Sequence, residues 1–245
     1  MPQFLIKTQN IKENIVEISD STDLRHLSEV LRNKAGDIII FIDENEIIYK
    51  TEIISISKQN LIAKILHSEK SIRSLNTDIT LIQSVIKSSA QDYTIQKATE
   101  MGVNTIIPII TKHTVIKFEN EKDKAKKLER WQKIAQESCK QCERAKSPII
   151  EKIQTLTNLD LSSFEVKIAC VERSAKMSLK ECLKNTPYQK GQKIAVFIGP
   201  EGGWCDDELT FFEKNNITQV SLGNLILRAE TAPISAIAGI VYEYE

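Results

Sequence analysis

The sequence lacks an excess of charge of either sign, and it lacks any long hydrophobic run. Its 245 residues carry 33 Lys and Arg against 33 Asp and Glu, so net charge offers no general argument for nucleic acid binding. No apolar run approaches the roughly 20 residues of a membrane-spanning helix, and residues 1–4 show no signal-peptide pattern. These absences favour a cytoplasmic protein with no membrane partner.

Cysteine is also sparse. The chain has five cysteines, an odd number that fits reduced thiols rather than a disulfide framework. Cys139 and Cys142 form a lone Cys-x-x-Cys within a charged helical pattern, and no second pair of ligands accompanies them. We therefore interpret them as helix thiols and predict no metal site.

Residues 1–74 have a predominantly β pattern. Short strands at close spacing favour a small barrel. One helix is predicted over Asp23–Asn33, with Leu24, Leu27 and Leu31 on one face. The strands are predicted at Gly36–Ile42, Ile47–Ser57 and Asn60–Leu66, with a turn at Asp43–Glu46.

A linker near Ser68–Asn76 leads into residues 75–245, where strands alternate with helices as in a parallel α/β sheet. The predicted strands are Ile79–Ile86, Thr105–Ile110, Val166–Val171, Lys193–Ile198 and Thr218–Leu222. The predicted helices are Ala90–Met101, Glu119–Lys146, Ser178–Lys184, one starting near Trp204, and one for which Thr231 is the expected N-cap.

Two loops that follow strands have the features of a ligand site. Gly199-Pro200-Glu201-Gly202-Gly203 follows an apolar run, and its glycines permit a tight turn in which backbone amides approach a ligand. The second loop, Leu222–Pro233, begins with Gly223 and Asn224, which tolerate positive φ. Open α/β folds bind ligands at such loops. The alternative is that the first loop is only a turn that caps a strand.

The charges near these loops disfavour a phosphate ligand. The first loop has no lysine and no Gly-Lys-Ser or Gly-Lys-Thr ending. Glu201 and Asp206–Glu208 would repel an anion at the N-terminus of the following helix. Residues 195–245 contain two basic and eight acidic side chains. A neutral or cationic ligand is therefore predicted, and the sulfonium of S-adenosylmethionine fits such a field.

The combination of Ile198–Gly203 with Leu222–Gly223 and Ile226–Ala232 resembles the signature of the RsmE family, which methylates N3 of a uridine in 16S ribosomal RNA. The resemblance extends through Ile95–Val103 and Trp131–Cys142 and covers essentially the whole chain. It implies a SPOUT-type parallel sheet with a C-terminal trefoil knot in residues 75–245. It also implies a small PUA-like β-barrel domain that binds RNA in residues 1–74.

The resemblance further implies S-adenosylmethionine as the cofactor, 16S ribosomal RNA within the small ribosomal subunit as the partner, and a homodimer. The cofactor is expected to contact mainly the backbone of two stretches. These contacts are assigned to Gly199, Pro200, Glu201, Gly202, Gly203, Leu222, Gly223, Asn224, Ile226, Leu227 and Thr231.

The chain departs from the family pattern at three places. Gln3 stands where members often have arginine near the start, Thr111-Lys112-His113-Thr114 replaces a Ser-Glu-Arg-Ser sequence, and Leu225 stands where arginine is common. These departures are expected to alter contacts with RNA. The latter two are expected to leave the cofactor loop untouched.

A basic stretch, Lys112–Lys146, carries eleven basic and six acidic residues. It fits either a phosphate-facing surface or a solvated helix face. Upstream, His26–Arg32 matches the short helix of the family's PUA-like domain. We assign RNA contacts to basic residues in both domains, namely Arg25, Arg32, Lys87, Lys97, Arg130, Lys133 and Arg144.

Methylation at N3 of uracil requires removal of the imide proton or stabilisation of the resulting anion. Arg228 is expected to contact the uracil or its phosphate and to stabilise negative charge, and an ion pair with Glu230 or Glu201 is the alternative. Glu201 and Glu230 are candidate bases or loop-orienting carboxylates. None of the three histidines lies in the two loops, so none is expected to be catalytic.

Two other functions stay open from the sequence. One is an RNA-binding protein of the same fold that binds the cofactor without turnover, which the departures at Gln3 and Leu225 allow. The other is a nucleotide-dependent α/β enzyme unrelated to methylation. The acidic loop and the missing phosphate-binding lysine count against that enzyme.

Overall fold

The structure, a computed structural model, describes residues 3–71, 75–172 and 174–245. The chain divides into two compact units. The first comprises residues 1–74 with 139–146, and the second comprises residues 75–138 with 147–245. The segment 139–146 thus groups with the first unit, which differs from the sequence-based division at residue 74.

One six-stranded sheet forms the first unit. Its strands follow the order β1-β4-β5-β6-β3-β2 along the sheet and are antiparallel except for one parallel pair, β1 with β4. One face of the sheet buries Val16, Phe41 and Leu61 in a core, which explains the alternation of apolar and polar residues. The strands are β1 (Gln3–Leu5), β2 (Ile11–Lys12), β3 (Ile15–Ile18), β4 (Ile38–Ile42), β5 (Ile47–Ile56) and β6 (Leu61–Lys70).

The predicted helix Asp23–Asn33 is shorter and less regular than expected. Helix α1 spans Ser21–Arg25 and continues into one π-helical turn, His26–Val30. It stops there because Arg32 adopts the left-handed φ of 57°. A π turn is wider than an α turn and shifts the helical phase. Leu31, predicted on the buried face, is therefore exposed.

Strand β6 extends further than its sequence predicts. Its polar end pairs with β5 as far as Ile47 opposite Lys70, so hydrogen bonding to the neighbouring strand overrides the low β-propensity of residues 67–70. The predicted linker Ser68–Asn76 consequently begins inside a strand. Residues 72–74 of that linker lie outside the described part of the chain.

The second unit alternates strands and helices around an eight-stranded sheet, as predicted. Its strands are β7 (Asp78–Ser84), β8 (Thr105–Ile110), β9 (Ile149–Ile150), β10 (Gln154–Thr155), β11 (Val166–Cys170), β12 (Met177–Ser178), β13 (Lys193–Ile198) and β14 (Thr218–Ser221). The helices are α2 (Ser88–Glu100), α3 (Glu121–Cys142), α4 (Leu179–Asn185), α5 (Asp206–Lys214) and α6 (Thr231–Tyr244). The last four residues of α3, 139–142, group with the first unit.

Every pairing in this sheet is parallel, which confirms the predicted α/β class. The strand order is β10-β8-β7-β13-β11-β14-β12, and β9 also pairs with β8. One face buries Ile95 of α2 and Ile237 of α6, and the other buries Phe212 of α5. Because helices cover both faces, β13 is buried from Ile194 to Ile198, which accounts for its unbroken apolar sequence.

Helix α3 is shorter than the predicted range Glu119–Lys146. It begins after Asn120, whose side-chain oxygen accepts a hydrogen bond from the Asp123 amide at 3.0 Å. It ends before Glu143, which takes the left-handed φ of 60° that commonly follows a helix. Trp131 is buried on the predicted apolar side.

The strands β9, β10 and β12 have no counterpart in the sequence prediction, because two residues are too few to show a period. Two of them extend the sheet beside β8, and the third pairs with β14. Within the described ranges, no helix combines the length and the apolarity needed to cross a membrane.

Candidate active site

Four neighbouring strands of the parallel sheet end at one cavity. β7, β13, β11 and β14 lie side by side, and residues from the segments 87–90, 198–204, 170–174 and 222–232 line the cavity beyond their carboxyl ends. Its volume is about 1040 Å³. Open α/β sheets bind ligands at this edge, and the volume suits a ligand at least as large as a nucleoside.

The first loop, Gly199–Gly203, turns tightly at the end of β13. The Gly203 amide donates to the Pro200 carbonyl at 3.0 Å, and Gly203 has a φ of +68°, which glycine adopts without strain. A Cβ at Gly199 would lie 3.1 Å from the Trp204 ring, so the backbone packs directly on the indole. Trp204 is itself held by a 2.9 Å hydrogen bond from Nε1 to the Cys170 carbonyl.

The turn Thr111–Thr114 contacts the first loop through His113. The expectation that the sequence change in this turn leaves the cofactor loop untouched is therefore wrong. A Cβ at Gly202 would lie 2.9 Å from the Cβ of His113. Nδ1 of His113 lies 3.1 Å from the Gly203 carbonyl oxygen. The strand β8 that precedes the turn is two positions from β13, which no local pattern reveals.

The second loop connects β14 to α6. Gly223 has a φ of +125°, a conformation that favours glycine. The Arg228 carbonyl accepts hydrogen bonds from the amides of Thr231 and Ala232, both at 2.9 Å, and so starts the helix. The N-cap is Glu230 rather than the predicted Thr231, because Thr231 already has helical geometry.

Arg228 and Glu230 lie close together at the edge of the cavity. Their nearest side-chain atoms, Nη1 and Oε1, are 3.9 Å apart, with the arginine side chain 85% exposed and the glutamate side chain 24% exposed. An exposed pair at that distance is weak, so Arg228 stays available to a ligand. Glu201 on the first loop faces α2, where its Oε1 accepts the Lys87 amide at 3.4 Å.

The cavity lining includes every residue assigned to the cofactor except Thr231, which is exposed on α6 between the lining residues Glu230 and Ala232. It also includes residues that the sequence did not single out. Lys87 lines it although it is assigned to RNA. The residues missed from the sequence are Ser89, Ala90, Cys170, Val171, Glu172, Ser174, Trp204 and Leu209.

The Cys170 thiol lies in the cavity wall, where burial raises the pKa of Cys170 to about 12. The thiol is therefore protonated near neutral pH and is unsuited to nucleophilic attack. Cys139 and Cys142 contact backbone carbonyls instead, Cys139 with Lys146 at 3.4 Å and Cys142 with Cys139 at 3.8 Å. No group of His, Cys, Asp and Glu side chains in the described ranges has the arrangement of a metal site.

Comparison with known families finds two matching domain models. Residues 18–66 match an RNA methyltransferase PUA domain, and residues 73–241 match an RNA methyltransferase domain. The ribosomal RNA small subunit methyltransferase E of Buchnera aphidicola subsp. Acyrthosiphon pisum is 33% identical, over 90% of this chain and 85% of its own length. This chain belongs to the ribosomal RNA small subunit methyltransferase E family.

Further members are similar over nearly their whole length. The Bacillus subtilis member is 28% identical over 97% of this chain and 94% of its own. The crystal structure of the Neisseria gonorrhoeae member, bound to S-adenosyl methionine, matches with a TM-score of 0.82 and 29% identity, over 100% of this chain and 98% of that one. The predicted family and enzyme class are thereby confirmed. The alternative of a nucleotide-dependent enzyme unrelated to methylation is wrong.

Within this methyltransferase chain, three of the four basic residues assigned to RNA in the second unit, namely Lys97, Arg130 and Lys133, are paired with carboxylates. Arg130 of α3 pairs with Asp92 of α2, whereas the other two pairs each lie within one helix. Partly exposed pairs of this kind contribute little to stability, so phosphate groups can compete for the cations. The pairs within one helix are Lys97–Glu100 and Lys133–Glu129, each at 2.8 Å.

The basic residues assigned to RNA in the first unit have different environments. Arg25 pairs with Glu29 at 3.2 Å and stays 78% exposed, and Arg32 is exposed at the end of the helix. Arg144 is half-buried, and burial lowers the pKa of its guanidinium from the ordinary value. It therefore lacks the solvent-facing position that the basic stretch Lys112–Lys146 predicts.

Proposed function

We propose that this chain methylates N3 of a uridine in 16S ribosomal RNA, using S-adenosylmethionine as the methyl donor. The cavity at the four strand ends carries the proposal, because it combines a glycine-rich loop that lacks a phosphate-binding lysine with an exposed Arg228. Family membership supports the RNA substrate, and the cofactor of the Neisseria gonorrhoeae member supports the donor. A cytoplasmic location and a SPOUT-type trefoil knot belong to the same proposal.

The residues of the cavity fit S-adenosylmethionine. Val171 and Leu209 offer apolar walls for a flat base. Among the residues that the structure describes, the lining holds the carboxylates of Glu172, Glu201 and Glu230 and the cations of Lys87 and Arg228, so this described part favours a cationic ligand. When bound, S-adenosylmethionine supplies a methyl group that the adjacent sulfonium activates.

Backbone groups of the two loops hold this ligand in the proposal. The residues assigned here are those of Gly199–Gly203 and Leu222–Leu227 that line the cavity. Glycine at 199 and 202 lets the first loop pack without Cβ atoms against Trp204 and His113. Such close packing fixes where the loop amides point, and fixed donors bind a ligand without a further entropic cost. Thr231 is not among the lining residues.

Arg228 stabilises the negative charge that develops on the uracil oxygens as N3 loses its proton. Its guanidinium is 85% exposed at the mouth of the cavity, and Glu230 lies 3.9 Å from it. A guanidinium offers several fixed N–H donors to an oxygen or a phosphate. Its contribution is expected in the transition state more than in cofactor binding.

The two carboxylates divide their roles. Glu201 orients the loop, because its Oε1 already accepts the Lys87 amide at 3.4 Å. Glu230 accepts the N3 proton, since it lines the cavity beside Arg228 and its side chain is 24% exposed. A positioned carboxylate near a cation is a suitable general base when it lies within hydrogen-bond reach of the proton.

Basic side chains on the helices guide the RNA backbone to this site. In the second unit these are Lys97 of α2 and the cations of α3, and in the first unit they are Arg25 and Arg32. Their contribution is sequence-independent and depends on salt concentration. The uracil itself must be unstacked to enter the cavity, as for other enzymes that modify a base.

A homodimer is part of the proposal. Tyr242 is 90% exposed on α6, one helical turn from the exposed Ala238, and Leu225 and Ile226 of the second loop are 81% and 62% exposed. Contiguous apolar side chains at a surface are typical of protein–protein interfaces, whereas single exposed ones are common in monomers. A second copy of the chain is the partner that the family resemblance implies, and sedimentation analysis tests it.

The test is methyl transfer from labelled S-adenosylmethionine to small ribosomal subunits of a strain that lacks the endogenous enzyme. The RNA is digested to nucleosides after the reaction. We expect label in N3-methyluridine. Cofactor binding without label in the RNA would support the alternative of a binding protein without turnover, and label in another nucleoside would contradict the assigned position.

Arg228→Ala is expected to lower kcat by about 100-fold or more, in the range seen when a transition-state donor is removed. The Kd for S-adenosylmethionine should change by less than about threefold. The matched control is Lys214→Ala, which removes an exposed lysine of α5. A variant at Arg228 with normal kcat would refute the role given to it.

A further inference from the structure

His113 lies behind the first loop without lining the cavity. Its Nδ1 is 3.1 Å from the Gly203 carbonyl oxygen, and its Cβ occupies the space where a side chain at Gly202 would begin. A carbonyl only accepts hydrogen bonds, so Nδ1 carries the proton and is the donor. His113 therefore touches two residues of the loop, and both line the cavity on their other side.

The turn that carries His113 is fixed at both ends. The Thr111 amide and hydroxyl each lie 2.9 Å from the Thr114 hydroxyl, and the Ser84 hydroxyl at the end of β7 lies 2.9 Å and 3.0 Å from the hydroxyls of Thr111 and Thr114. The Lys112 amide donates to Oε1 of Glu208 on α5 at 2.8 Å. A side chain on such a turn has a well-defined position.

Gly203 is the residue of the loop that most needs this support. Its φ of +68° is one of several conformations open to glycine, so the backbone can rotate unless something holds the peptide. The turn hydrogen bond from its amide to Pro200 holds one side, and the bond from His113 to its carbonyl holds the other.

We propose that His113 is a positioning residue that holds Gly202 and Gly203 in the conformation that binds the cofactor. The inference rests on the proposed function, because it concerns the same cavity. It assigns a role to a position where this chain departs from the family pattern. His113 acts through the loop backbone and takes no part in proton transfer or in contact with the uracil.

A spectroscopic signature follows from the hydrogen bond. Neutral His113 must be the tautomer with its proton on Nδ1, because the other nitrogen has no bond to the loop. Two-bond nitrogen–proton correlation spectra distinguish the tautomers, and His67, which is 66% exposed on β6, is the reference in the same molecule. A neutral His113 with its proton on Nε2 would overturn the proposal.

Binding of S-adenosylmethionine by titration calorimetry gives the second readout. His113→Ala removes the donor and should raise the Kd for S-adenosylmethionine by about 3- to 10-fold, the usual effect of one hydrogen bond. His113→Asn places its amide nitrogen near the Nδ1 position and should recover most of the affinity. His113→Gln places its amide nitrogen near the Nε2 position and should not. KM for the cofactor should rise while kcat at saturation stays within about twofold.

The control variant is His67→Ala, which removes an exposed histidine of the first unit. It should bind like the unaltered chain. Equal affinity of His113→Ala and the unaltered chain would overturn the inference while leaving the proposed function intact. Failure of the unaltered chain to bind S-adenosylmethionine would contradict the proposed function itself. If His113→Asn bound S-adenosylmethionine no more tightly than His113→Ala, the role of the Nδ1 donor would also be overturned.

Discussion

Gly202 is the residue at which a single methyl group should have the largest effect on the cavity. A Cβ there would lie 2.9 Å from the Cβ of His113, which belongs to a fixed turn and cannot rotate away. Glu201 beside it is tied to the Lys87 amide, so the loop has little freedom on either side. The glycine requirement at this position thus comes from a neighbour that is 89 positions away in the chain.

Gly202→Ala is expected to displace the loop and to weaken S-adenosylmethionine binding by at least about fivefold, because overpacking of this kind costs about 1–3 kcal/mol. Titration calorimetry measures the change. Gly36→Ala is the comparison variant, since it strains a glycine of positive φ in the first unit with open space around it. It should lower the melting temperature without changing the Kd. Normal affinity of Gly202→Ala would contradict the close packing.

Glu208 links helix α5 to the turn that follows strand β8. Its side chain lies in the first turn of α5 and is only 8% exposed as a residue. Oε2 accepts the amide of Cys205, which caps the helix, and Oε1 accepts the amide of Lys112 from the turn after β8. One buried carboxylate therefore satisfies two backbone donors that would otherwise be unpaired.

Glu208→Gln should lower the free energy of unfolding by about 1–3 kcal/mol. The amide group keeps one acceptor oxygen but turns an N–H towards a backbone N–H, so one buried donor loses its partner. Thermal or urea unfolding measures the loss. Glu213→Gln changes an exposed residue of the same helix and should alter stability by less than about 0.5 kcal/mol. Equal stabilities of the two variants would refute the linking role.

At the scale of the whole second unit, Glu245 links the end of α6 to the start of β7. Its carboxylate accepts hydrogen bonds from the amide and hydroxyl of Thr77, both at 2.9 Å, and from the side chain of Asn76 at 3.1 Å. Burial alone would raise the pKa of the Glu245 carboxyl, but these donors lower it below its ordinary value. The charged form is thus favoured in the folded state.

This link predicts a pH dependence of stability. The pKa of this carboxyl is lower in the folded state than its ordinary value of about 4.5 in the unfolded chain. The carboxylate therefore stabilises the folded state fully above pH 4.5, and this stabilisation is lost as the pH falls through the pKa of the folded state. Glu245 is exposed, so solvent screens its interactions, and Glu245→Gln should lower stability by only about 0.5 kcal/mol at pH 7. The difference from the unaltered chain should shrink in melting curves below about pH 4.5. Glu243→Gln, exposed on the same helix, is the control. A difference that grows on acidification would contradict the link.

Much of the second unit was predictable from sequence because its strands are buried on both faces. The run Ile194–Ile198 is apolar without interruption, and the structure places these residues in β13. The first unit was harder, since β1 and β3 are short and the helix after them contains a π turn that no periodicity indicates. The two-residue strands were out of reach for the same reason.

The sequence alone determined the parallel α/β class, the positions of the two loops that follow β13 and β14, and their acidic surroundings, because these depend on local patterns of apolar residues, glycine and charge. Tertiary structure decided which strand ends meet. The strand order brings segments 87–90 and 170–172 to the loops and places His113 against Gly202. Tertiary structure also turns the Thr231 side chain to solvent between two lining residues, and it leaves Arg144 half-buried. These outcomes depend on the order of strands in the sheet. That order cannot be predicted from the residues that connect the strands.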